Sequence, residues 1–152
     1  LASNVEQLIL YGAATVGNGN AQDNALYGHV ASNAVTLDGA GGNDYLLDSA
    51  LSGDVLIGGA GNDTLDLRTG GNDKIRFASA GSGTDSVFGF DADAVGGQDI
   101  IDLSGRGFTA ASIGAQISIA ASGSDTLISI GVDTITLVGV TSTSITATDF
   151  LF

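Results

Sequence analysis

The chain has no cysteine, no methionine and no tryptophan, one histidine, and 4 basic residues in 152. Without cysteine there is no disulfide, no zinc–thiolate site and no thiol nucleophile. His29 alone cannot supply the two or three imidazoles of a transition-metal site. It has no partner in a recognisable catalytic motif and reads as a loop or surface residue. There is no G-x-S-x-G elbow, and the glycine loops lack the Lys and Ser/Thr of a phosphate-binding loop. With 17 acidic residues against 4 basic ones, the formal charge of −13 repels nucleic acid and anionic membranes, so cations are the natural partners. No run of about 18 apolar residues reads as a membrane helix, and no Sec-type signal opens the chain, so no membrane insertion is expected. Starting at Leu1 rather than Met, the chain reads as a piece of something longer.

What is present is as uneven as what is missing. Glu6 is the only glutamate and the other 16 acids are aspartates, a residue favoured in turns and at metal sites. Hydrophobic residues make up 43%, too many for a disordered acidic tail, and the 24 glycines show no three-residue collagen period. A single folded domain is expected.

Residues 58–66, Gly-Gly-Ala-Gly-Asn-Asp-Thr-Leu-Asp, satisfy every fixed position of the nonapeptide G-G-x-G-x-D-x-U-x, where U is a large apolar residue. Residues 39–47 lose only the second glycine, to Ala40; residues 68–76 keep Gly71, Asp73 and Ile75; residues 49–57 keep Asp54 and Leu56. Residues 19–27 and 28–36 are decayed copies with Asn24 and Asn33 at the aspartate position. Asp44 to Asp63 and Asp54 to Asp73 are both separated by 19 residues, close to two nonapeptides plus one residue. Coils of about 18 residues would place each pair on one edge of a solenoid, with Leu46, Leu56, Leu65 and Ile75 stacked in a narrow core. A lone Gly-Asn-Asp is usually a hairpin turn of an ordinary β-protein, but three copies at 42–46, 61–65 and 71–75 share one frame. From Gln116 onward, alternating β-branched runs around Ile117, Ile128 and Ile135 predict an antiparallel meander that caps the last coil.

These residues resemble the hemolysin-type calcium-binding repeats of the RTX family. The segment 83–91 followed by 99–104 is similar to the part that closes the roll in many such proteins, and Asp149-Phe150-Leu151-Phe152 looks like the C-terminal element of proteins exported by type I ABC systems. The resemblance implies an all-β fold: a parallel β-roll of nonapeptide repeats, about three coils, closed by a C-terminal antiparallel β cap. Residues 1–38 would be degenerate repeats, 39–77 the repeats proper, and 78–152 the closing segment, cap and secretion signal. One calcium site would lie between loops 39–44 and 58–63, using carboxylates of Asp44 and Asp63 and carbonyls of Gly39, Gly41, Gly58 and Ala60. A second would pair Asp54 with Asp73 and use carbonyls near Gly70, although Arg68 and Thr69 replace both glycines there and Ser49-Ala50-Leu51-Ser52 replaces the opening turn. Asp85, Asp91, Asp99 and Asp102 either bind further ions or serve as turn residues and caps. Calcium is expected over magnesium, because carbonyl-rich loops suit higher coordination and longer bonds.

The function that follows is a non-enzymatic module of a larger bacterial protein, secreted or at the cell surface, which folds on binding extracellular calcium after passage through a type I ABC exporter. A module that binds polysaccharide or a cell surface is one alternative, and a small calcium-dependent enzyme another; the scarcity of aromatics, 3 Tyr and 6 Phe, weighs against an aromatic sugar platform.

Overall fold

The computed structural model describes residues 1–93, 95 and 97–152. Strands alternate between two sheets as the chain winds. The first ten are β1 (Gln7–Gly12), β2 (Val16–Asn20), β3 (Ala25–Ala31), β4 (Thr36–Ala40), β5 (Tyr45–Leu47), β6 (Val55–Ile57), β7 (Thr64–Asp66), β8 (Lys74–Arg76), β9 (Thr84–Phe88) and β10 (Ile100–Asp102). The odd-numbered strands pair in parallel in one sheet, in the order β1-β3-β5-β7-β9, and the even-numbered ones in the other. Each coil thus lays one strand in each sheet, which defines a parallel β-roll.

The strands of the central coils are only three residues long because each nonapeptide has one inward position. In the first sheet Leu26, Leu46, Leu65 and Val87 are in direct register, and in the second Leu37, Leu56, Ile75 and Ile101. All eight are fully buried, so the core is two facing columns one side chain wide. The four core residues expected from the repeat are therefore all in place, Leu46 and Leu65 in one column and Leu56 and Ile75 in the other. Burying each such side chain contributes roughly 1.5–3 kcal/mol.

Among the described residues the roll has five coils, against the expectation of about three. The copy at 19–27 keeps its inward Leu26 while losing the acid. The copy at 28–36 is displaced from the expected frame by two residues, because Leu37 rather than Val35 pairs with Leu56 in the inward column and Val35 rather than Asn33 takes the aspartate position, its N–H donating to Asp54. Repeat stacking and side-chain charge are separable requirements, and only the first is needed to extend the sheets.

The expected cap is present. β11 (Ile117–Ser122), β12 (Asp125–Ile130) and β13 (Asp133–Val138) form an antiparallel meander, and β13 lies parallel to β9, so the meander continues the first sheet past the last coil. The final strand β14 (Phe150–Leu151) pairs with β10 and ends the second sheet, with Phe150 extending the Leu37–Ile101 column. The carboxyl-terminal residues that resemble an export element are thus part of the packed fold. His29 lies on β3 with its side chain exposed, edge-on to Tyr27 at 5.9 Å. Among the described residues no helix is long and apolar enough to cross a membrane.

Candidate cation sites between stacked turns

The turn before each strand follows from its glycines. Gly59 and Gly61 take φ of 104° and 143°, which side chains rarely adopt. A Cβ on Gly61 would drive into the carbonyl oxygen of Gly42 on the previous coil, and one on Gly59 into that of Ala40. Glycine is needed here both for conformation and for the close approach of successive turns. Gly61→Ala is expected to cost at least about 2–3 kcal/mol of stability, read as a lowered urea midpoint. Gly53→Ala shares the positive φ, but its Cβ would meet only the Ala34 side chain at 3.8 Å, an ordinary contact, and the change is expected to cost about 1 kcal/mol.

Stacking the turns builds ladders of carboxylates. On the edge of the first sheet, Asp44 accepts the Asn24 N–H at 2.7 Å, Asp63 the Asp44 N–H at 2.8 Å, and Asp85 the Asp63 N–H at 2.9 Å, each through Oδ1. On the other edge, Asp54 accepts the Val35 N–H at 2.6 Å, Asp73 the Asp54 N–H at 2.9 Å, and Asp99 the Asp73 N–H at 2.8 Å. The aspartate of the repeat therefore ties coil to coil with one oxygen. Its asparagine neighbours do the same further out, Asn43 accepting from Asn62 N–H and Asn62 from Thr84 N–H. That role gives a part to the asparagine in two of the three Gly-Asn-Asp copies, to which the sequence pattern alone assigns none.

The second oxygen decides what the ladders can do. Oδ2 of Asp44, Asp63, Asp73 and Asp85 is buried and has no hydrogen-bond partner. These four residues are at most 3% exposed. A buried carboxylate oxygen without a donor costs several kcal/mol unless it is protonated or meets a cation. Glycines leave room for the latter: a Cβ on Gly39 would fill the space where Asp44 Oδ2 and the Gly58 carbonyl oxygen converge, and a Cβ on Gly58 the space beside Asp63 Oδ2. Asp44 and Asp63 thus share one edge as the spacing predicts, and the Gly58 carbonyl reaches Asp44 as the resemblance implies, whereas the Gly39 carbonyl turns away to the preceding coil, beside Gly19 and Asn24. Gly41 and Ala60 face each other as a bridge, the Ala60 carbonyl accepting the Gly42 N–H at 3.0 Å.

On the second edge the arrangement is different. Gly70 is exposed, with open space where a Cβ would sit and its N–H on the Leu67 carbonyl at 3.1 Å, and Asp73 Oδ2 instead faces Gly71 and the Leu51 carbonyl. Asp54 has both oxygens occupied, because the Ser49 N–H and hydroxyl bind it at 2.8 Å where the repeat would have a glycine. Asp48, which lies outside the repeat frame and carries no sequence signal of its own, joins Asp54 and Asp73: each offers an oxygen within 4.8 Å of the others, and all three are buried. Asp48 follows the inward Leu46 by two residues, and only that inward phase hints at its burial.

Of the closing acids, Asp85 belongs to the first ladder with a free Oδ2, whereas Asp99 uses its second oxygen on the Asp91 N–H at 2.9 Å. Asp91 and Asp102 accept the N–H of Asp93 and Ser104 two residues on and act as turn residues.

The arginines are committed elsewhere. The three arginines pair with Asp66, Asp102 and Asp133. Arg68 beside Asp66 holds that carboxyl below the ordinary range. The ladder acids behave oppositely: burial, reinforced by neighbouring carboxylates, pushes Asp44, Asp48, Asp73 and Asp85 up to about 7, and burial raises Asp63 and Asp99. Rows of oxygen donors with a charge deficit fit a hard divalent cation, for which carboxylates and carbonyls are the usual ligands. No known protein-family model matches the chain, and no curated protein matches it.

Proposed function

We propose that the chain is a calcium-binding module whose roll closes when cations enter the turns, and that it serves the folding and export of a larger bacterial protein. The observation that carries this reading is the set of buried, unpartnered Oδ2 atoms of Asp44, Asp63, Asp73 and Asp85. Asp44 and Asp63 would hold one ion together with the Gly58 carbonyl, and Asp85 offers a further unpartnered Oδ2 one coil on. The ion supplies positive charge to a chain that carries −13. The residues supply the coupling: the same carboxylates that would bind the ion accept the N–H of the preceding coil, so a cation that orders them also fixes the register of the stack.

Folding would then follow the calcium gradient. In the low-calcium cytosol the crowded carboxylates keep the chain open for a type I ABC exporter; outside, affinities of about 10⁻⁴–10⁻³ M suffice to close it. The resemblance to RTX repeats supports this secreted or cell-surface role, and the non-enzymatic reading is supported by ladders that use the best-placed acid pairs for stacking. Titrating the chelator-stripped chain with calcium while recording far-ultraviolet circular dichroism tests it. A rise in β signal with calcium, and a much weaker one with equal magnesium, is expected; a stripped chain already fully folded at neutral pH would contradict it.

A further inference from the structure

Resting on the reading of the turns as cation sites, we infer that Asp48, Asp54 and Asp73 form a second, different cation site that fills before the glycine-turn sites. Two features set it apart. It brings three carboxylates together, against two for the Asp44–Asp63 gap, and affinity for a hard cation rises with the number of charged ligands. It is also held in shape by hydroxyls in place of glycines. Ser49 fixes both oxygens of Asp54, and the Thr69 hydroxyl bridges Asp48 Oδ1 and the Ser49 carbonyl. Oδ2 of Asp48 and of Asp73 is left buried and unpartnered, and no salt bridge among the described residues reaches either. The replacements at 49 and 69 that break the repeat therefore convert a carbonyl-lined turn into a rigid, carboxylate-rich one. The ligand class is a hard divalent or trivalent cation, with calcium the physiological member.

Equilibrium dialysis with radioactive calcium at buffered free concentrations tests this on the wild type, Asp48→Asn and Asp63→Asn. The wild type should show one tight ion per chain plus weaker ones. Asp48→Asn should weaken the tight class about tenfold or more while keeping the weaker class, and Asp63→Asn should do the reverse. A tight class untouched by Asp48→Asn overturns the inference while leaving the calcium reading standing; no calcium bound by the wild type overturns both. Because either variant can fold poorly, limiting terbium in wild-type crystals supplies an independent readout through its anomalous scattering. First density bounded by Asp48, Asp54 and Asp73 supports the inference, and first density between loops 39–44 and 58–63 overturns it.

Discussion

Stripped of divalent cations, the chain should be more stable at pH 5 than at pH 8, the reverse of ordinary acid denaturation. Asp44, Asp48, Asp73 and Asp85 are pushed up to about 7 in the folded state from 3.8. Between those limits the folded chain holds more protons than the unfolded one, so stability falls as pH rises. Their contribution is complete below the unfolded value near 4 and is lost as pH passes through about 7. A tenfold change in a carboxyl's acidity corresponds to about 1.4 kcal/mol, so four such groups amount to several kcal/mol, comparable to the whole margin of a small domain of about 5–15 kcal/mol. Saturating calcium should invert the trend, because the ion takes the deprotonated carboxylates. Far-ultraviolet circular dichroism of the resin-treated chain at both pH values, with urea midpoints wherever it is folded, and the same in calcium, checks both signs. A resin-treated chain that is more stable at pH 8 would mean that the Oδ2 atoms are solvated or paired.

Asp63→Asn should separate stacking from ion binding. The chain contains its own precedent in Asn24, which stands at the aspartate position of a decayed copy. Asn24 Oδ1 accepts the Asn20 N–H of its own turn at 2.7 Å, and its Nδ2 donates to the Val5 carbonyl at 3.4 Å, so an amide here is tied to the preceding segment by a donated bond. An amide at 63 can still accept the Asp44 N–H while removing one buried charge. Without calcium, Asp63→Asn is expected to be more stable than the wild type; at calcium a hundredfold above the dissociation constant it should be less stable by about 2.7 kcal/mol for each site lost. Chemical denaturation of both proteins with and without calcium reads the crossing. Destabilisation by the same amount in both conditions would make Asp63 a stacking residue only.

The parts of this fold that are legible from sequence are those repeated in frame. Leu46, Leu56, Leu65 and Ile75 recur at the inward position, and Asp44 and Asp63 recur at the turn, because each coil solves the same packing problem. The coil of β3 and β4 is harder to read, since Leu26 and Leu37 preserve stacking where the acid is missing and charge is the more visible signal. Asp48 escapes the sequence for a related reason: it is defined by its neighbours across coils, Asp54 and Asp73, and by the hydroxyls of Ser49 and Thr69, none of which the nine-residue frame assigns to it. Substitutions that read as decay in the repeat, Ser49 for one, instead hold Asp54 in place. The meander is plain from alternation, but its parallel junction with β9 through Thr84–Phe88 is a long-range pairing that no local pattern encodes.

Whether the buried Oδ2 atoms are cation ligands is decided by a crystal structure of the chain grown in calcium. Anomalous density is expected about 2.3–2.6 Å from Oδ2 of Asp44 and Asp63, with the Gly58 carbonyl in the same shell. Well-ordered turns in saturating calcium with no ion between them would refute cation ligation, and the ladders would then be proton-sharing staples of a cation-independent roll.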